Sequence, residues 1–348
     1  MKPILPLAKA GLLALAVAAI FLIGLELYWR GQGYELSYNN NEAQWADKRA
    51  EVYQPAEKTT VFIGSSRIKF DLDIPTWERT TGEQAVQLAL EGTSPRQILN
   101  DLADDKNFRG KLVVDVTEGL FFAPDGTRPD NRANESIAYY RKISPTQRFG
   151  FQVNRLMESA FVFLDSKQFS VKALLDDLPL PPRPGVFMYP AFPKKFVTVA
   201  FNGQTTMTDA FVADTSMRNK MIGIWMRFGG SASSQGVGGD TLRGIMAGTK
   251  TAVAKIQARG GKVVFVRTPS SGGVLAAETT QYPRALYWDR LLSETGCQGI
   301  HFQDYPAMAH FECPEWSHLA VADGKAFTGE LAGILKQKNW FSQTPTQR

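Results

Sequence analysis

The chain has 348 residues, 44% hydrophobic and 21% charged, with 30 glycines and 19 prolines. That balance supplies the core of one large domain or two small ones and excludes a disordered, collagen-like or low-complexity chain. The net charge of +5 is mild; there is no run of five like charges and no aromatic–basic interleaving, so nucleic acid is not an expected partner.

Residues 1–30 read as a membrane anchor. Gly11 to Leu25 is uninterrupted apolar sequence, extended toward the N-terminus by Ile4 to Ala8. Lys2 and Lys9 flank one end, and Tyr28 and Trp29 sit at the other, where amphipathic rings favour the interface. A helix from Ile4 to Trp29 is long enough to span a bilayer. The rival reading is a cleaved signal peptide, but Glu26-Leu27-Tyr28-Trp29 offers no small-residue cleavage site. The expectation is an uncleaved anchor with the N-terminus inside and the remainder outside. Residues 31–58 are a polar linker with a short helix from Glu42 to Val52.

Val61-Phe62-Ile63 is an apolar run that stops at Gly64-Ser65-Ser66-Arg67. Buried strands of parallel sheets read as short continuous apolar runs. Loops at their C-terminal ends carry the chemistry of α/β proteins. Ser66, or failing that Ser65, is therefore a candidate nucleophile; the other reading is a tight turn with a serine helix cap. Ala85 to Ala89 is a second strand leading through Gly92 and Ser94 into a helix from Pro95 to Asp104. Lys111 to Val116 is a third, ending in Thr117-Glu118-Gly119. Strand, turn and helix repeated in this way predict a parallel α/β sheet.

The repeat then breaks. Phe122 to Asn134 reads as loop, Pro145 to Leu174 as helices, and Leu178 to Pro193 as proline-rich irregular chain. Phe196 to Phe201, Asn202-Gly203 and Thr205 to Phe211 predict a hairpin on a primed two-residue turn. Residues 125–230 form a large insertion, longer than a crossover needs. Its aromatics Phe187, Tyr189 and Phe192 either pack in the core or contact a glycan. Ser231 to Asp240 is a loop, and Thr241 to Arg259 is a helix stopped by Gly260-Gly261. Lys262 to Val266 is the next strand. Arg267 at its end either binds a carboxylate or phosphate, or pairs with Glu118 or another acid. Pro283 to Leu292 is helical, Ile300 to Phe302 a last strand, and Asp323 to Lys336 a closing helix before a frayed tail, 341–348.

The last motif is Cys313-Pro314-Glu315-Trp316-Ser317-His318. A serine nucleophile needs a base, and the base needs a group that fixes its tautomer. Glu315, three residues before His318, suits that pairing. The other two histidines, His301 in a strand and His310 in a loop, read as structural. Cys297 and Cys313 form either a disulfide tying the His318 loop or two free thiols. No metal-ligand spacing and no cofactor motif is present, so no cofactor is expected.

Gly64-Ser65-Ser66 near the start of the globular part and Glu315-x-x-His318-Leu319 near its end resemble the first and last blocks of the SGNH (GDSL-like) hydrolase superfamily. The likeness spans roughly Thr60 to Leu335 and is nearest to membrane-anchored members that work in bacterial cell-envelope O-acylation. It implies a three-layer, flavodoxin-like parallel sheet over residues 59–340. It also implies Ser66 as nucleophile, His318 as base and Glu315 as orienting acid. Backbone N–H groups of Ser66 and Gly92, with the Thr117 hydroxyl, would hold the oxyanion, and Arg67 and Arg267 would bind substrate. Two departures stand out: Glu315 replaces the usual aspartate, and the Gly-x-Asn-Asp block is not visible.

The expected function is therefore a serine esterase or O-acyltransferase, anchored in the bacterial inner membrane and facing the periplasm. It would act on a glycan or acyl ester, with a membrane-bound acyltransferase as a further partner. The alternative is a catalytically degenerate SGNH-like subunit that binds or scaffolds a polysaccharide assembly complex. The missing Asn block and the position of Glu118 favour the alternative; the retained Ser66, Glu315 and His318 oppose it.

Overall fold

A computed structural model describes residues 7–55, 57–176, 178, 192–229 and 236–341. Phe187, Tyr189, most of the proline-rich segment, much of the Gly/Ser loop and the tail from 342 lie outside these residues.

The elements run α1 (Leu7–Gly31), α2 (Glu42–Ala50), β1 (Thr59–Ile63), α3 (Ser66–Asp71), α4 (Ile74–Thr81), β2 (Gln84–Gln87), α5 (Arg96–Asp104), β3 (Lys111–Asp115), α6 (Glu118–Phe121) and α7 (Arg128–Lys142). Next come α8 (Pro145–Glu158), α9 (Ser166–Phe169), α10 (Val171–Asp176), β4 (Val197–Val199), β5 (Thr205–Met207), α11 (Asp209–Ala213), α12 (Thr215–Gly229) and α13 (Gly239–Gln257). The chain ends β6 (Lys262–Arg267), α14 (Gly272–Gln281), α15 (Trp288–Thr295), β7 (Gln298–His301), α16 (Pro306–Ala309) and α17 (Val321–Gln337).

Five strands form one parallel sheet in the order β2-β1-β3-β6-β7. This is the doubly wound order in which the first strand is flanked by the second and third, and ligand crevices in such sheets open at the C-terminal ends of the strands where the winding reverses. Here that point lies between β1 and β3, above Gly64 and Asp115.

Alternate strand residues serve opposite faces. Val61, Ile63, Leu112, Val114 and Phe265 pack with Leu99 and Leu102 of α5, Val253 of α13 and Leu291 of α15. Phe62, Val113, Val264 and Ile300 pack with Trp77 of α4 and Phe327 and Leu331 of α17. Each fully buried Phe, Val or Leu contributes roughly 1.5–3 kcal/mol of transfer free energy. Cys297 belongs to the first core and Cys313 to the second, so both thiols are free and buried on opposite sides of the sheet.

The long excursion from β3 to β6 is mostly helical. Its hairpin, β4 with β5, is a separate two-stranded sheet over a third, small core of Phe70, Phe196, Met207, Phe211, Met221 and Ile224. The expected two-residue Asn-Gly turn is replaced by a three-residue loop. Ala200 O accepts the Gly203 N–H at 3.0 Å, Ala200 N–H donates to Gln204 O at 2.8 Å, and Gly203 has φ +90°. A type I turn followed by one left-handed residue needs the glycine last, which is where this sequence has it. The second strand stops at Met207 because the Thr208 hydroxyl caps α11 through the Phe211 N–H at 3.1 Å. The expected loop from Phe122 turns into α7 at Arg128, with Pro129 in its first turn.

Candidate active site

Gly64 ends β1 in a confined place. A Cβ there would lie 2.5 Å from Ile68 Cγ2 and 2.6 Å from Asp115 Cβ, so glycine is required for the turn to pass β3. Ser65, fully buried, bonds the Thr117 hydroxyl at 2.6 Å, and Thr117 donates to Asp115 Oδ2 at 3.2 Å. A hydroxyl has one proton. Ser65 therefore donates to Thr117, and both hydroxyls are engaged in holding the turn. Thr268 donates to the other oxygen of Asp115 at 2.9 Å.

Ser66 is the first residue of α3 and is half-buried. Residues four apart share a helix face, and the residue one turn on from Ser66 is Phe70. Its ring stacks on His318, with centroids 4.2 Å apart and planes at 26°. The next residue, Asp71, accepts the Leu319 N–H on Oδ1 at 2.9 Å. The helix opened by Ser66 is thus tied to the His318 loop through the histidine ring and through the backbone N–H of the next residue.

His318 and Glu315 form a buried dyad. Glu315 Oε1 accepts both the His318 backbone N–H and ring Nδ1–H, each at 2.7 Å. The Trp225 indole N–H of α12 donates to Glu315 Oε2, and the Trp225 ring meets His318 edge-on at 5.8 Å. With Nδ1 committed as donor, Nε2 is the ring's free acceptor. It is buried and has no hydrogen-bond partner among the described residues, the Ser66 hydroxyl included. Between acid and base, Trp316 has φ +75°, an outlier for a bulky residue and a form of strain that gathers at functional sites. Its ring covers Gly272 and Gly273, where a Cβ on Gly272 would lie 2.5 Å from it. Ser271 fastens the same loop, donating its N–H to Trp316 O at 3.0 Å and accepting the Cys313 N–H at 2.8 Å.

The other expected site residues divide. Leu90 N–H bonds Gly64 O at 3.2 Å, which brings the turn at Gly92, φ +67°, beside the serine turn. Arg67 and Arg267 are 3% and 2% exposed and face acids of the protein itself. Arg67 pairs with Glu278. Arg267 donates to Glu118 at 3.0 Å, Glu278 at 2.5 Å and Ser270 at 2.8 Å. Of the two readings of Arg267, the pairing is the one seen. Glu118 is turned to this cluster, and burial pushes its carboxyl up despite Arg267. Burial also acts to raise Glu278, but Arg67 and Arg267 outweigh it and hold that carboxyl below its ordinary value. Asp71 and Asp115 are raised by burial. His301 is neutral, its pKa lowered to about 3 by burial and by Arg267 and Arg284. His310 is exposed at the end of α16.

Sequence reasoning did not reach Phe70, Trp225 or Lys69. No local pattern points to Trp225, which arrives from 90 residues away. Lys69 carried a signal: it lies three residues after Ser66, on a neighbouring face of the same helix. It is buried, lies 3.5 Å from Glu91, and is lowered to about 8 by desolvation against Glu91's pull. Among the described residues no group of three His, Cys, Asp or Glu is placed to hold a metal ion.

Comparison with known protein families finds no match, and no curated protein matches the chain.

Proposed function

We propose that this protein is an SGNH-like serine esterase or O-acyltransferase of the cell envelope, held in the membrane by α1 with its sheet domain outside the cytoplasm. One observation carries the reading: a buried Glu315–His318 dyad at 2.7 Å, with Nε2 unpartnered among the described residues, stacked on the helix that Ser66 opens. A free serine enzyme commonly holds its hydroxyl–imidazole contact loosely until substrate arrives.

In the proposed cycle, His318 Nε2 takes the Ser66 proton as Oγ attacks the acyl carbonyl. Glu315 stabilises the imidazolium. This reading assigns the oxyanion to the Ser66 and Gly92 backbone N–H groups, and Thr117 has no part in it because its proton goes to Asp115. His318 then protonates the leaving alcohol, and the acyl group remains on Ser66. Water or a glycan hydroxyl, deprotonated by His318, attacks the acyl-serine and restores the enzyme. The acyl group fits best as acetyl, by the resemblance to envelope acylation proteins.

The second reading, a binding or scaffold subunit, is favoured by the missing Ser66–His318 hydrogen bond. Fluorophosphonate and activated acetyl ester labelling of the full chain separates the two. Labelling lost in both Ser66→Ala and His318→Ala establishes the activated serine. A folded wild type that takes neither reagent overturns the enzyme and leaves the scaffold.

A further inference from the structure

Helix α8 is inside out. Its buried residue is Glu158, which accepts the Asn39 backbone N–H at 3.3 Å and the Asn154 amide at 2.6 Å. On the other side stand Phe149, Val153, Leu156 and Met157, exposed by 72%, 45%, 65% and 41%. Their spacing of four, three and one makes an apolar stripe about 100° wide, the width that an ordinary surface helix turns into its core. Helix α10 repeats the pattern: Val171, Leu174 and Leu175 are exposed by 74%, 53% and 54%, and Leu178 just beyond by 51%. Exposed apolar surface gathered on helices of one segment, joined through the 162–164 turn and α9, marks a contact face.

The position of these helices says what covers them. The turn at Val162–Leu164, between α8 and α9, packs on the end of α1. Glu26 of α1 accepts the Val162 N–H at 2.8 Å and pairs with Arg30 at 2.6 Å, and Arg30 donates to Ala160 O at 3.2 Å. Trp29 packs on Phe169 of α9 at 4.7 Å and on Tyr34 at 5.5 Å. Before this junction α1 stands bare, with Leu12, Ile20, Phe21 and Ile23 exposed by 69%, 72%, 66% and 57%. Tyr28, Trp29, Tyr34 and Phe169 gather where α1 meets the domain, with Arg30 and Lys167 in the same segments. Aromatic and cationic side chains are the composition of the bilayer interface, and a helix with one apolar and one polar face lies flat in it.

We propose that α8 and α10 lie in the headgroup layer of the bilayer that α1 spans, their apolar stripes sunk to the acyl boundary. The occupant of this face is lipid. The inference rests on the membrane reading of α1 and is independent of the serine chemistry. It converts the anchor from a tether into a three-helix seat that fixes how the sheet domain is tilted over the membrane.

The test uses the full chain in vesicles of phosphatidylcholine and phosphatidylglycerol. An environment-sensitive fluorophore is placed at Phe149→Cys, Leu156→Cys, Leu174→Cys and, as a control at an exposed position of α13 in the sheet layer, Thr251→Cys. Flotation reports the anchor; quenching by brominated lipid and by aqueous iodide reports the face. The expected result is several-fold stronger lipid quenching and several-fold weaker iodide quenching at the first three positions than at 251. Chain that floats while iodide reaches all four positions alike overturns the seat and leaves the anchor standing. Protection from iodide without lipid quenching means a protein covers the face and also overturns it. Chain that does not float removes the anchor and the seat together.

Discussion

Replacing Glu278 by alanine strips the shared partner from two buried cations. Its carboxylate receives Arg67, Arg267 and the Ser270 hydroxyl. Arg267 would keep Glu118, Thr268 O and the Ser270 hydroxyl, whereas Arg67, whose Nε and Nη1 already lack partners among the described residues, would lose the carboxylate it pairs with. Removing one member of a buried ionic cluster costs about 3–5 kcal/mol, because the remaining charge stays desolvated. At roughly 2 °C per kcal/mol for a large domain, the melting midpoint should fall by about 6–10 °C. The assay is thermal unfolding by circular dichroism, with Asp104→Ala as the control. Asp104 is 63% exposed in its pair with Lys255, and a pair of that kind contributes about 1 kcal/mol or less. The Glu278 effect should survive high salt, which screens exposed pairs far more than buried ones. Its pH sign follows from a depressed carboxyl: the stabilisation is present above the unfolded value near 4.3 and is lost as the pH falls through the lower folded value. The gap between wild type and variant therefore closes in acid. A fall of less than about 2 °C at neutral pH, the size of an exposed pair, or one abolished by salt, would refute the argument.

Asp71→Asn should stabilise the protein near neutral pH, since it keeps the acceptor for Leu319 and removes a buried charge whose Oδ2 has no partner among the described residues. A raised carboxyl costs stability as the pH climbs from the unfolded value near 3.9 through the folded one, so the gain in melting temperature should grow with pH and vanish at about pH 3. Trp225→Phe keeps an aromatic ring, though a smaller one, and loses the N–H to Glu315. A hydrogen bond to a charged group is worth about 1.5–3 kcal/mol, so Ser66 labelling should slow about tenfold or more; an unchanged rate would remove the insertion from the site. Gly64→Ala forces a Cβ against Asp115 and Ile68. Denaturant unfolding should show a loss of about 1–3 kcal/mol, the usual cost of overpacking.

The sheet was readable from the sequence because its strands are buried on both faces. Val61-Phe62-Ile63 and Leu112-Val113-Val114 are apolar without alternation, and the glycines and serines after them mark the turns. The Glu315–His318 pair was readable because its three-residue spacing is local. What closes the site was not, since Phe70 and Trp225 meet His318 only through tertiary packing and a lone aromatic carries no address. No motif in the sequence settled what the residues after the third strand do. There the sequence uses Thr117 to brace Ser65, and Glu118 to receive Arg267. The exposed stripes of α8 and α10 have helical spacing, but spacing does not say which side of a helix meets the core.

Strand order also sets a timetable for synthesis. β1, β2 and β3 are complete once Asp115 has been made, but the partner of β3 on its open side is β6, which begins at Lys262. At about 5–20 residues per second, the intervening chain takes roughly 7–30 s to emerge. During that interval a nascent three-stranded sheet shows an unpaired edge bearing Leu112, Val113 and Val114, the kind of edge that recruits foreign strands. A holding chaperone should therefore crosslink to β3 in ribosome-bound chains ending before Lys262 and release it once β6 has emerged.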